Sequence, residues 1–287
     1  MRDERRVRDE RRVRDERRVR VALTVAYDGR AYHGFQRQSP ASGELTIQAV
    51  LELALQNLYG RALQVVGSGR TDRGVHAFGQ VVHVDLPSHI PAERLPYALF
   101  PYLPEDVMVV HAQAVPPDFH ARYGARSKTY VYQVRLRPFL YPWEKGLAYA
   151  TQASFDPMLI RQASQLLTGR HDFYAFQKQG SSAQTTVRTI DFLDFVESGD
   201  SWWFWIRGDG FLYRMVRIMI GVLLSIGRGE LTLDMLHQVL SGTVRANFAA
   251  YALPPDGLYL YAVHYDTLTP FDPGPLPPRP AGYKLEA

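Results

Sequence analysis

The chain has 287 residues, with 33 Lys and Arg against 29 Asp and Glu, and no cysteine. The missing thiols exclude disulfides, thiolate metal sites and cysteine nucleophiles, and they agree with a reducing compartment. No apolar run reaches the ~18 residues of a membrane span and the N-terminus lacks the apolar core of a secretion signal, so the expected location is the cytoplasm.

The net charge of +4 invites a nucleic-acid partner, but its distribution removes that argument. Residues 1–20, "MRDERRVRDERRVRDERRVR", hold ten arginines and six acids and carry the whole excess. The remaining chain is neutral, so only local basic clusters can speak for RNA. The valines of the repeat are six apart, which returns to no single helix face, and the segment reads as a solvated arm outside the fold.

From there the elements follow in order. "RVALTVAYDG" alternates like a strand and ends in the turn pair Asp28-Gly29. Ile47, Val50, Leu51, Ala54, Leu55 and Leu58 recur at helical spacing, with Thr46 as N-cap and Gly60 past the end. "ALQVVGSG" and "GQVVHVDL" read as strands on either side of a loop; a weak helix spans 91–100 around Pro96, and "EDVMVVHAQAV" is a further strand.

"KTYVYQVRLR" opens the second half as a strand. A helix follows with Asp156 as N-cap, Pro157 at its first position and Gly169 beyond its end. "TTVRTIDFLDFVE" and "SWWFWIRGD" form a hairpin around Ser198-Gly199-Asp200, with the tryptophans expected in the core. "FLYRMVRIMIGVLLSIGRG" and "TLDMLHQVLSG" are helices, "GLYLYAVHYD" is the last strand, and the Pro-rich stretch from about 267 is a loose tail. Hairpins interleaved with helices indicate an α+β fold with mostly antiparallel pairing. The divisions are an arm over 1–20, one half over 21–125, a second over 126–266 and the tail over 267–287.

Three stretches can carry chemistry. In "GSGRTDRGVHA", Asp72 lies between Arg70 and Arg73 among glycines whose spacing fits neither a phosphate loop nor a dinucleotide fingerprint. A guanidinium nearby would keep its carboxylate ionised, as a nucleophile or base requires; the alternative is an aspartate that only holds a loop through backbone bonds. In "FLYRMVRIMIGVLL" the apolar surroundings of Arg217 predict a buried guanidinium that needs a carboxylate. Asp72 is one candidate; Asp209, Glu230 and Asp234 are others. Gly221, one turn on, leaves room for an incoming group. In "FHARYGARSKTYVYQVRLRP", Arg122, Arg126, Lys128, Arg135 and Arg137 interleave with Tyr123, Tyr130 and Tyr132. That pattern suits phosphates and unstacked bases, or an ordinary solvated face. The histidines show no ligand spacing, so no metal site is expected.

Together these motifs resemble the TruA family of tRNA pseudouridine synthases. "GSGRTDRGVHAFGQVVH" is similar to that family's G-R-T-D-x-G-V-H-A signature, "YDGRAYHGFQRQ" and "TIQAVLE" to its first strand and helix, and "FHARYGARSKTYVY" and "GFLYRMVRIMIG" to its other active-site motifs. The likeness runs from about 21 to 266. Phe100 and Pro101 depart from it, as does the lead-in to the last strand, and the repeat arm has no counterpart. The resemblance implies two ferredoxin-like or RRM-like halves joined into an extended sheet with helices packed on one side, working as a homodimer. It implies isomerisation of uridine at positions 38, 39 and 40 in the tRNA anticodon stem-loop, without cofactor or metal. By motif Asp72 is the nucleophile, Arg217 its partner, Arg70 a contact for base or phosphate, and Tyr130 a platform for the target uracil. The motif glycines would let a flipped nucleotide approach the backbone. A non-catalytic RNA-binding module and an Asp-nucleophile phosphatase are the competing readings; the second lacks the further carboxylate it needs after Asp72.

Overall fold

The structure, a computed structural model, describes residues 18–37, 43–178, 180, 184–269, 271–274 and 277–284. The repeat arm lies outside these residues except at its end: Arg18–Arg20, read from sequence as arm, open the first strand. They do so because Arg20 finds a partner there, its Nε donating to Asp85 Oδ1 at 2.8 Å and its Nη1 to the Phe119 carbonyl at 3.0 Å.

The chain forms two compact units, one taking in residues up to Ala125 with Val263–Phe271, the other Arg126–Ala262 with residues from Asp272 onward. In the first unit β1 (Arg18–Tyr27) lies between β3 (His76–Pro87) and β4 (Val107–Ala114), antiparallel to both. A short β2 (Val66–Gly67) pairs with β3. Alternation along β1 sends Leu23 and Val25, both fully buried, to one face. Ala22 goes to the other, where it packs with Val81, Phe119, Ala121 and Tyr265. Helix α1 (Ile47–Tyr59) starts where the Thr46 side chain accepts from Ala49 N and stops at Gly60, whose φ of 69° is left-handed. A short α2 (Leu95–Leu99) precedes β4.

In the second unit β5 (Ser127–Arg135) pairs antiparallel with β9 (Ser201–Gly208), and β9 with β8 (Val187–Ser198). A short β7 (Gly169–Asp172) closes the edge and β6 (Tyr149–Ala150) runs parallel to β5. β10 (Leu258–His264) is the last strand. Helix α3 (Pro157–Leu167) begins at Asp156, whose carboxylate accepts from Met158 N and Leu159 N. Its Arg161 reaches Asp194 on β8 and covers the Phe195 ring at 4.3 Å. Helices α4 (Met215–Gly227) and α5 (Leu233–Leu240) complete the unit.

The tryptophan strand is buried on both faces. Trp202 and Phe204 stack on Phe195 at centroid distances of 4.9 and 5.2 Å, on the side of α3. Trp205, one residue out of phase, meets Tyr261 and Tyr283, each at 4.6 Å. Tyr283 comes from the Pro-rich tail, which is therefore not loose: Pro278 O accepts from Trp205 Nε1 at 2.9 Å, and Arg279 bonds Tyr261 Oη and Asp272. The tail thus covers Trp205 and Tyr261, contacts that its proline content does not announce.

Candidate functional site

The loop bearing Asp72 is an eight-residue connection between β2 and β3, residues 68–75. β3 starts earlier than its alternation suggests, at His76, so the loop is shorter and tied at both ends. Ser68 N donates to Val81 O at 2.8 Å, Ser68 Oγ bonds Gln80 Oε1 at 2.5 Å, and Gln80 Nε2 donates to Gly69 O at 3.1 Å. At the centre Thr71 is held twice. Its Oγ1 lies 2.8 Å from Tyr27 Oη, and its carbonyl accepts from Phe35 N at 3.1 Å. Burial pushes the Tyr27 hydroxyl up to about 12, so it stays protonated and available for this bond.

The segment after β1 is what presses the loop into shape. Gly34, at φ +91°, has the Thr71 carbonyl only 2.6 Å from where a Cβ would stand, and Gly29 has the Val75 carbonyl at 2.0 Å. Only glycine permits backbone contact this close. The 34–35 carbonyls in turn accept Ile47 N at 3.3 Å and Gln48 N at 2.9 Å, so the start of α1 fixes the segment that fixes Thr71. His76 Nδ1 is 3.2 Å from both Gly29 N and Asp28 Oδ1. Burial alone would raise the Asp28 carboxyl, but bonds from His76 and Arg30 outweigh it and carry the group well below the usual carboxylate range.

Asp72 is half-buried in this loop, with Arg70 and Arg73 exposed on either side. Arg70 Nε bonds Gln36 Oε1 of the segment after β1. The expectation that the motif glycines leave room for a ligand fails at Gly67: the Phe35 ring already lies 2.3 Å from its missing Cβ.

Tyr130 and Arg217 belong to the second unit. Tyr130, on β5, is 9% exposed and meets Phe211 edge-on at 5.1 Å. Tyr132 is fully buried, its Oη donating to Pro254 O at 2.9 Å. Arg217, in the first turn of α4, is 7% exposed and donates from Nε to Leu253 O at 2.6 Å. Gly221 does leave room, but for the protein itself: the Tyr251 carbonyl lies 1.8 Å from where its Cβ would be. Residues 251–254 are thus clamped by Gly221, Arg217 and Tyr132. The other acids weighed for Arg217 have their own bonds: Glu230 with Arg228, Asp209 with Thr189 N and Asp234 with Gln238.

The structure thus brings the second and third motifs together through Tyr130 and Phe211, and ties the first-strand motif to the Asp72 loop. The motif residues Tyr27, Gly34, Gln80 and Phe211 carry no role in the sequence reading, although all four lie inside the quoted motifs. The Leu253 carbonyl carries no side-chain signal at all. Among the described residues no group of three His, Asp or Glu is placed to hold a metal ion, and no helix is long and apolar enough to cross a membrane.

Comparison with known proteins gives one family. A family model described as tRNA pseudouridine synthase matches residues 23–124 and 163–266. The tRNA pseudouridine synthase A of Akkermansia muciniphila is 40% identical over 253 residues, covering 85% of this chain and 94% of that protein. Its Bacillus subtilis counterpart is 41% identical over 245 residues, covering 85% of this chain and 98% of that protein. The tRNA pseudouridine synthase A of Acetivibrio thermocellus is 39% identical over 245 residues, with coverage of 85% and 99%.

Proposed function

The chain belongs to the tRNA pseudouridine synthase family and is an isomerase acting on tRNA, and from that premise we propose that it converts uridine to pseudouridine at positions 38, 39 and 40 of the anticodon stem-loop. It does so in the cytoplasm as a homodimer, with Asp72 as nucleophile. The observation that carries the proposal is the loop: a half-buried carboxylate on a backbone fixed at Thr71 from two directions.

A uridine within a stem is out of reach, so the base must first leave the stack, at a cost of roughly a few kcal/mol. The Asp72 carboxylate then attacks the base or the sugar carbon, and the N1–C1′ bond breaks. The uracil turns and C5 bonds to C1′; the bond to Asp72 breaks and returns the free carboxylate, the C5 hydrogen leaves to solvent and N1 gains a proton. The bond exchange balances without oxidant or cofactor. By motif Arg217 is assigned as the cation that keeps the reacting carboxylate ionised; within its own unit it is buried and donates from Nε to Leu253 O. Tyr130 stacks on the displaced uracil, and exposed Arg70 meets a phosphate or fills the vacated stack. Transcripts with uridine at one of the three positions each test the site choice: tritium released from C5 at all three supports it, and release only from uridines elsewhere overturns it.

A further inference from the structure

One surface of the second unit has no part in the chemistry above. Tyr174, 52% exposed, carries the Arg245 guanidinium over its ring at 5.5 Å, and Tyr213, 37% exposed, carries that of Arg214 at 5.3 Å. The two pairs are tied through one segment, with Lys178 N donating to Tyr213 O at 3.1 Å and Phe248 N to Ala175 O at 2.9 Å. Arg188 joins them, its Nε 3.4 Å from where a Cβ on Gly210 would stand.

Six arginines elsewhere, Arg20, Arg30, Arg37, Arg135, Arg161 and Arg228, each pair with a carboxylate. Among the described residues none of Lys178, Arg188, Arg214 and Arg245 has an ion pair. The acids of this region are occupied by neutral donors, Asp172 by Tyr174 N and Thr186 Oγ1 and Asp209 by Thr189 N. Arg214 is also the only described non-glycine residue with positive φ, at 63°, and its Nε is buried without a hydrogen-bond partner. Such strain persists where surrounding structure imposes it and gathers at ligand clamps. Unpaired cations suit phosphates, and exposed rings each beside a guanidinium suit unstacked bases.

We propose that Tyr174, Tyr213 and the four cations around them form a second RNA contact, which takes unpaired nucleotides of the substrate away from the reacting base. This rests on the reading of the chain as a tRNA enzyme. The surface adjoins the start of α4, three residues before Arg217, so strand held here is held next to the catalytic helix.

The test uses the full chain and a transcript tRNA. Tyr174→Ala and Arg245→Ala each raise KM roughly 5- to 20-fold with kcat within about twofold, while Tyr174→Phe stays near wild type. Arg245→Ala also flattens the slope of log Kd against log salt by about 0.7, the loss of one phosphate contact on a single strand. Melting curves confirm that the variants fold; Arg245→Gln replaces any that does not. Unchanged KM and unchanged salt slope in both alanine variants, with a wild type that makes pseudouridine, overturn the surface alone. A wild type that makes none, with Arg245→Ala still flattening the salt slope of direct binding relative to it, supports the surface and overturns the proposed reaction instead.

Discussion

Tyr27 Oη lies 2.8 Å from Thr71 Oγ1, a buried contact between the end of β1 and the residue before Asp72. It is the side-chain half of a double hold on Thr71; the Phe35 N–H supplies the other. A carboxylate that must attack one carbon depends on such a fixed backbone.

Tyr27→Phe removes only the hydroxyl. Stability is expected to fall by about 1 kcal/mol, and kcat by roughly 3- to 10-fold as the loop loosens, with KM for tRNA within about twofold. Steady-state kinetics beside a thermal melt read both. A kcat equal to wild type would show that the Phe35 bond holds Thr71 alone.

Gly34→Ala and Gly29→Ala strike the same loop from the other side. Each new methyl meets a carbonyl of the backbone, at 2.6 and 2.0 Å, and neither carbonyl can swing away as a side chain would. Losses above about 2 kcal/mol and more than tenfold in kcat are expected. Gly60→Ala, also at positive φ but with nothing within 4 Å, costs stability by about 1 kcal/mol and leaves kcat unchanged.

His83 sets a pH dependence in the first unit. Burial, then the charges of His120 and Arg20, lower its imidazole from 6.5 to about 4, and its neutral Nδ1 accepts from Ala121 N at 3.1 Å. The unfolded chain therefore binds this proton more readily than the folded one. Stability is complete above pH ~6.5 and is lost as pH falls toward about 4, by up to roughly 3 kcal/mol. Denaturant melts should show a smaller loss across that window in His83→Asn, which keeps an acceptor but does not titrate; equal losses in the two proteins contradict the assignment.

The tail makes the fourth prediction. Tyr283→Ala strips one cover from Trp205 and should cost about 2–4 kcal/mol, read as a lower melting temperature with no change in KM. A melting temperature equal to wild type would return the tail to the loose segment that its prolines suggest.

Much of the fold was legible because local rules decide it. Thr46, Gly60, Asp156 and Pro157 mark helix ends by chemistry that acts over three or four residues, and the alternation of "SWWFWI" placed aromatics on both faces. What the sequence hid depends on contacts distant along the chain. Arg18–Arg20 look like the end of the repeat arm, and partners distant in sequence, Asp85 and the Phe119 carbonyl, 65 and 99 residues on from Arg20, hold them as strand. "FLYRMVRIMIG" looks like one helix, yet Arg214 sits in left-handed backbone and α4 begins at Met215. Asp72 and Arg70 in the first unit, and Tyr130 and Arg217 in the second, stand out by residue type and motif. Their supports are a hydroxyl pair, two glycines and a carbonyl, none of which differs in sequence from ordinary filler.

The most direct test of the account is C5-tritium release from tRNA transcripts by Asp72→Asn beside the wild type. The substitution changes one oxygen to nitrogen in a loop anchored at Thr71, Gly69 and Ser68, so folding and tRNA affinity should stay near wild type. The wild type is expected to release tritium and the variant none. Release by a folded Asp72→Asn at the wild-type rate would contradict the assignment of Asp72 as the nucleophile.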